Sequence, residues 1–294
     1  MTLPLRHFLL ALTVVAIWGS NFVVIRWGLN AFPPLLFAAL RFTLATLPAI
    51  LFLPRPKVGW RNLAAYGALV GVGQFGLLYL AMRSQISPGL ASLVIQTQVF
   101  FTLLLAMRLS GERVQGFQWL ALAMAAAGIG VIASHTDGTT TVLGLAMVLL
   151  AAFSWSSGNI VGKRAGSVNM LAYVVWSSAF AAPPLFALSF VVEGPARMGE
   201  ALQHAGLGAW AAVLWQAVGN TLFGYGAWSW LLSRHPAATI VPMALLVPVF
   251  GMSCSALLLG EGLPPWKLMA AALVMSGLAV NLLWPRMRGA LRAA

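Results

Sequence analysis

The stretches AIWGSNFVVIR (residues 16–26) and FSWSSGNIVGKR (residues 153–164) decide how this chain is read. Each sets a tryptophan, a glycine and an asparagine close together in a long apolar run, and each closes on an arginine. Adding 138 carries Asn21 onto Asn159 and Arg26 onto Arg164. A second echo lies further along, where LSGE at 109–112 is answered by LLGE at 258–261, an offset of 149 that also carries Gly128 onto Gly277. The chain therefore reads as two copies of one unit, about 1–136 and 137–294.

Around these motifs lie ten apolar stretches, at roughly 7–28, 34–53, 62–82, 88–108, 115–134, 142–162, 170–192, 207–232, 237–259 and 266–285. A helix crossing a hydrocarbon core of about 30 Å needs about 20 such residues, so each is long enough to span a bilayer. The cations between them alternate. Arg6, Arg55, Lys57, Arg61, Arg108, Arg113, Lys163, Arg164, Arg234, Arg286, Arg288 and Arg292 fall on one side, 12 in all, against Arg26, Arg83, Arg197 and Lys267, 4, on the other. Short basic loops stay in the cytoplasm, which predicts that both termini are cytoplasmic. Five spans per copy is an odd number, so the second copy enters the membrane from the opposite face. Inverted repeats of this kind build secondary transporters, with the substrate site near the midplane between the halves.

Composition excludes the other broad classes. With 61% hydrophobic and 7% charged residues among 294, the chain is too apolar for a soluble domain. The net charge of +12 sits at span ends as singles and short clusters, which argues against nucleic acid as a partner. The first stretch is longer than a signal-peptide core and is expected to be retained. Cys254 is the lone cysteine, so neither an intrachain disulfide nor a cysteine-rich metal site can form.

Several runs carry a family resemblance: WGSNFVVI at 18–25, Pro33-Pro34 followed by Arg41-Phe42, GLASLV at 89–94, FSW at 153–155 with Gly158-Asn159, Gly224-Tyr225-Gly226 and LVPV at 246–249. With these runs the chain resembles the EamA family of the drug/metabolite transporter superfamily over nearly its whole length. Among that family it is similar to bacterial amino-acid exporters of the cysteine/O-acetylserine and aromatic amino-acid types. The resemblance implies a ten-helix inner-membrane exporter working by alternating access. It also implies a central cavity ringed by spans one, three, four, six, eight and nine.

Polar side chains in a span must face the bundle, because unpaired polar groups in lipid are costly. Trp18 and Asn21 share a helical face, as do Trp155 and Asn159, and these pairs sit at equivalent places in the repeat. They are the leading candidates for a substrate site lined from both halves. Gln74, Tyr79, Gln96, Gln216, Asn220 and Tyr225 are further candidates; Gln96 and Gln98 point about 200° apart on an ideal helix, and Gln96 is favoured. Against each stands an interhelical hydrogen bond as the plainer role. Trp119, Trp176, Trp266 and Trp284 suit an interfacial belt.

Arg41 lies about two turns inside the second span, where a cation costs about 3 kcal/mol or more. It can snorkel, bind a loop carboxylate or backbone carbonyls, or attract a substrate carboxylate; snorkelling or a structural bond is favoured. Glu112 and Glu261, at repeat-equivalent span ends, are expected to bond nearby cations. Pro183 and Pro184 in the seventh stretch and Pro242 and Pro248 in the ninth predict bends, with Pro242 and Pro248 as gating positions.

Only five carboxylates occur, Glu112, Asp137, Glu193, Glu200 and Glu261, all at span ends or in loops. Without a mid-span carboxylate, recognition of lipophilic cations lacks its usual partner. The four histidines, His7, His135, His204 and His235, are also peripheral, so no enzyme activity, metal site or cofactor is expected. The chain is thus expected to be an all-α integral membrane protein of ten transmembrane helices in two inverted five-helix repeats. The expected function is export of neutral and aromatic amino acids with broad specificity across the inner membrane. Its expected partners are those substrates and membrane lipid, and a monomer suffices. Export of other metabolites or drugs is the alternative, and a membrane protein that transports nothing a lesser one.

Overall fold

The computed structural model describes residues 3–110, 115–135 and 139–293, and among them there are helices and connections but no strand. Glu112 and its expected cation bond lie outside these residues, as do Arg113 and Asp137. Among the described residues, nine helices are long and apolar enough to cross a membrane: Leu5–Ala31, Pro34–Phe52, Trp60–Ser84, Pro88–Leu109, Gly116–Ser134, Val142–Lys163, Met170–Val192, Val241–Leu259 and Pro265–Trp284. They match nine of the ten apolar stretches. The tenth, residues 207–234, is also helical throughout. Its hydropathy is diluted by Gln216, Asn220, Thr221 and four tryptophans, which foreshadows its role. Numbering the spans from one to ten in chain order makes it the eighth.

The duplication shows in helix geometry as well as in sequence. Spans three and eight each widen into a π-helical stretch at mid-length, Gly67–Gly76 and Trp215–Phe223. Spans four and nine each tighten into a 3-10 turn, Ile95–Thr97 and Val241–Leu245. Mid-helix departures of both kinds gather at functional sites and hinges. The ninth span reaches its 3-10 turn with Pro242 inside it and Pro248 in the first turn of Leu246–Leu259, whereas the fourth does so with no proline. Pro183 and Pro184, by contrast, sit within an unbroken helix, Met170–Val192. Proline alone therefore does not place the distortions.

Span contacts come in repeat-related sets. The first span packs on the eighth and ninth, and the sixth on the third and fourth; the second meets the seventh, the fourth meets the ninth, and the fifth meets the tenth. The glycines singled out by the 149-residue offset have their reason here. A methyl group on Gly128 would lie 2.7 Å from Val274, and one on Gly277 would lie 2.6 Å from the Ala121 carbonyl, so each lets spans five and ten close on one another.

Charges on the less basic side cap helix ends. Arg26 donates to the carbonyls of Met82 and Arg83 at the end of span three, and Arg83 donates back to the carbonyl of Leu29 near the end of span one. At the opposite helix polarity, Glu193 accepts from the backbone N–H groups of Leu35 (2.6 Å) and Leu36 (3.0 Å) at the start of span two. Glu261 accepts from Ser87 and from the Gly89 N–H at the start of span four, and from Lys267 Nζ at 3.0 Å. Cations at helix C-termini and anions at N-termini satisfy orphan backbone groups and suit the helix dipole.

Candidate functional site

Five side chains from spans one, two, three and eight converge in the interior. Gln216 sits at the second residue of the π stretch in span eight and is wholly buried. It pairs with Asn21 through both amide groups: Gln216 Nε2 donates to Asn21 Oδ1 at 2.6 Å, and Asn21 Nδ2 donates to Gln216 Oε1 at 3.3 Å. That same Oε1 also accepts from Tyr79 Oη at 2.9 Å and Arg41 Nη1 at 3.1 Å. Arg41 Nη1 further donates to Tyr79 Oη at 3.1 Å, and Nη2 to Thr221 Oγ1 at 2.8 Å. Thr221 Oγ1 in turn donates to the Gln216 carbonyl, five residues back, at 2.9 Å, so the wide π turn fixes two of the guanidinium's three partners.

Arg41 neither snorkels nor finds a carboxylate. It is 1% exposed, and the described ion pair is Lys267 with Glu261. Its guanidinium carbon lies 4.0 Å from the ring centre of Phe75 and 4.9 Å from that of Phe42, so aromatic faces supply part of the compensation. Its Nε has no partner, nor has Ser177 Oγ, buried on the seventh span. Both residues line a small cavity of about 10 Å³ together with Tyr66, Thr221 and Tyr225. That is room for about one water.

The equivalent region of the second copy is built differently. Asn159 Nδ2 donates to Gln98 Oε1 at 3.0 Å, and both residues are half-buried, as is Trp155. The glutamine of span four that meets Asn159 is thus Gln98, one residue beyond the 3-10 turn, while Gln96 is buried within the turn. The tight turn changes the angle between the two side chains, which an ideal helix does not anticipate. Gln74 is buried in the π stretch of span three, with its Oε1 unpartnered.

Trp18, on the same face of span one as Asn21, meets span eight one turn further along and joins an aromatic group there. Its Nε1 donates to the Asn220 carbonyl at 3.2 Å, and its ring lies 5.7 Å from Tyr225 and 5.1 Å from Trp228. Of the candidates, then, Asn21, Tyr79 and Gln216 form one cluster, Trp18, Asn220 and Tyr225 a neighbouring one, and Asn159 stands apart with Gln98. Sequence reading left Arg41 and Thr221 out of the site. The mid-span arginine was the available signal; Thr221 gave none. Among the described residues no group of three His, Cys, Asp or Glu could hold a metal ion.

A larger cavity, about 950 Å³, opens on the face that carries Arg26 and Arg83. Its wall includes Phe32, Arg83, Glu193 and the connecting helix Pro195–His204. Three rings separate it from the guanidinium: Phe32 stacks on Phe37 at 6.0 Å, Phe37 meets Tyr79 at 5.2 Å, and the Tyr79 hydroxyl touches Arg41.

Duplicated spans around a carboxylate-poor polar interior define a multi-pass membrane protein of transporter type. The EamA-like transporter family model matches residues 5–134 and again 142–283, and the chain belongs to that family. It is 39% identical over 289 residues to a protein of Escherichia coli (strain K12) named "Probable amino-acid metabolite efflux pump", with 96% of this chain and 97% of that one covered. A Salmonella typhimurium protein of the same name is 39% identical over 291 residues, covering 97% of each chain. Another Escherichia coli protein, "Uncharacterized inner membrane transporter YedA", is 29% identical, covering 89% of this chain and 83% of that one. A solved crystal structure superposes with a TM-score of 0.65 at 21% identity, covering 96% of this chain and 97% of the other, and so shares the fold.

Proposed function

We propose that the protein exports amino acids from the cytoplasm, with broad specificity for neutral and aromatic side chains, across the inner membrane. The observation that carries this reading is the interior cluster of amides, hydroxyls, aromatic rings and one guanidinium, in a chain 39% identical to proteins named as amino-acid metabolite efflux pumps. A zwitterion needs donors and acceptors of both kinds but little net charge, and aromatic faces accept varied side chains and an ammonium. Trp18, Asn21, Gln74, Tyr79, Gln96, Trp155, Asn159, Gln216, Asn220 and Tyr225 are its proposed binding residues.

The halves 1–136 and 137–294 rock against one another in alternating access, with both termini cytoplasmic and Pro242 and Pro248 flanking the moving part of span nine. The small volume beside Arg41 corresponds to a closed state, and substrate leaves through the larger cavity. Purified protein in liposomes, offered a panel of labelled amino acids, should show saturable flux of several. Flux confined to a drug cation or a sugar nucleotide would replace the substrate assignment, and no flux of any solute would remove the transporter reading for this chain.

A further inference from the structure

We infer that Arg41 is the seat of the substrate's carboxylate, so that a free carboxylate is the one chemical feature every solute moved by this protein must carry. The inference rests on the export reading above and adds what that reading leaves open, namely which group of the solute is recognised and by what.

The cluster is short of acceptors. Asn21, Tyr79 and Arg41 all donate to one atom, Gln216 Oε1. An amide oxygen offers two lone pairs, so the third donor is poorly served. Arg41 Nε and Ser177 Oγ face the adjoining cavity with no acceptor at all. The partly buried carboxylates are engaged elsewhere, Glu193 at the start of span two and Glu261 with Lys267. A buried cation whose partners are all neutral, with unused donors aimed at one small space, is complementary to an anion.

The number of charges selects the anion. One guanidinium suits a single negative charge, whereas a phosphate-bearing solute would call for several cations. Phe42 and Phe75 lie against the guanidinium, so it is the N–H edge that is left to meet a planar two-oxygen group. The walls come from both copies: Arg41 and Tyr66 belong to spans two and three, Ser177, Thr221 and Tyr225 to spans seven and eight. Movement of one half against the other therefore widens or closes the space. At about 10 Å³ it is closed to a carboxylate here, which places binding in the opened state.

The test is competition in proteoliposomes made with the full-length protein, using counterflow of a labelled neutral amino acid. The unlabelled acid should compete, whereas its amide and its decarboxylated amine should each fail to compete at tenfold higher concentration. Arg41→Gln should slow flux of the acid at least tenfold, with Arg41→Lys recovering part of it. Competition by the amide equal to that of the acid would overturn the inference while leaving amino-acid export standing, and so would an Arg41→Gln protein with wild-type flux. Absence of flux for every amino acid would overturn both. The analogue experiment uses wild-type protein, so it decides the matter even if the variants fail to fold.

Discussion

Asn21 and Asn159 occupy the same place in two copies of one sequence unit, yet their surroundings differ in kind. Asn21 is buried, bonded through both amide groups to Gln216 and joined through it to Arg41 and Tyr79. Asn159 is half-buried and makes one side-chain bond, to Gln98. The offset that relates the asparagines carries Arg41 onto Ala179, so the cation exists in one copy only. Duplication thus reproduced the helices and their π and 3-10 distortions, while divergence of the partner spans turned one position into a locked charged cluster and left the other more accessible. A transporter that must hold a solute and also release it can use both kinds of site.

The contrast breaks most readily at the acceptors. Gln216→Leu strands a guanidinium, a phenol and an amide together, and should cost about 3 kcal/mol of stability; Gln98→Leu should cost only about 0.6 kcal/mol, typical of one hydrogen bond between membrane helices. Thermal melting of the two purified variants measures both, and equal losses would end the distinction. Next come the glycines beside each asparagine. A methyl on Gly19 would lie 2.5 Å from Phe250 Cβ and 2.6 Å from the Val247 carbonyl, whereas one on Gly158 would meet Val70 Cγ2 at 2.7 Å. Gly19→Ala should therefore destabilise by about 2 kcal/mol, because backbone must move, and Gly158→Ala by less than about 1 kcal/mol, because a side chain can turn away.

The accessible site is tested by function. Trp155→Ala combined with Asn159→Ala should lower amino-acid flux about tenfold, roughly 1.4 kcal/mol on the barrier, with a melting temperature near that of the wild type. Unaltered flux would remove both residues from the site. Pro248→Ala should have the smallest effect, about threefold on transport rate, roughly 0.6 kcal/mol, since the 3-10 turn Val241–Leu245 already interrupts the regular hydrogen-bond ladder just before it. Parallel loss of expression and flux would make it a folding residue instead.

Much of the architecture was legible in the sequence because its signals are local. Apolar runs about 20 residues long mark spans whatever they pack against, and the 138- and 149-residue offsets exposed the duplication. The eighth span was legible too, although its polar content keeps it below the hydropathy of the others. The site was legible only in part. Asn21, Tyr79 and Gln216 stood out as polar residues within spans, but an ideal 3.6-residue period could not show that a 3-10 turn would bring Gln98 rather than Gln96 to Asn159. Nor could it show that a π turn would set Thr221 beneath Arg41.

The set of membrane-crossing helices and their repetition in two copies follow from local composition, because each span is fixed by the transfer free energy of its own residues. Long-range packing sets the fate of Arg41 and the pairing of the amides. Its partners Tyr79, Gln216 and Thr221 lie 38, 175 and 180 residues away along the chain. Whether a buried cation snorkels, pairs with a carboxylate or is held by neutral oxygens depends on which distant side chains the packing of spans two, three and eight delivers to it.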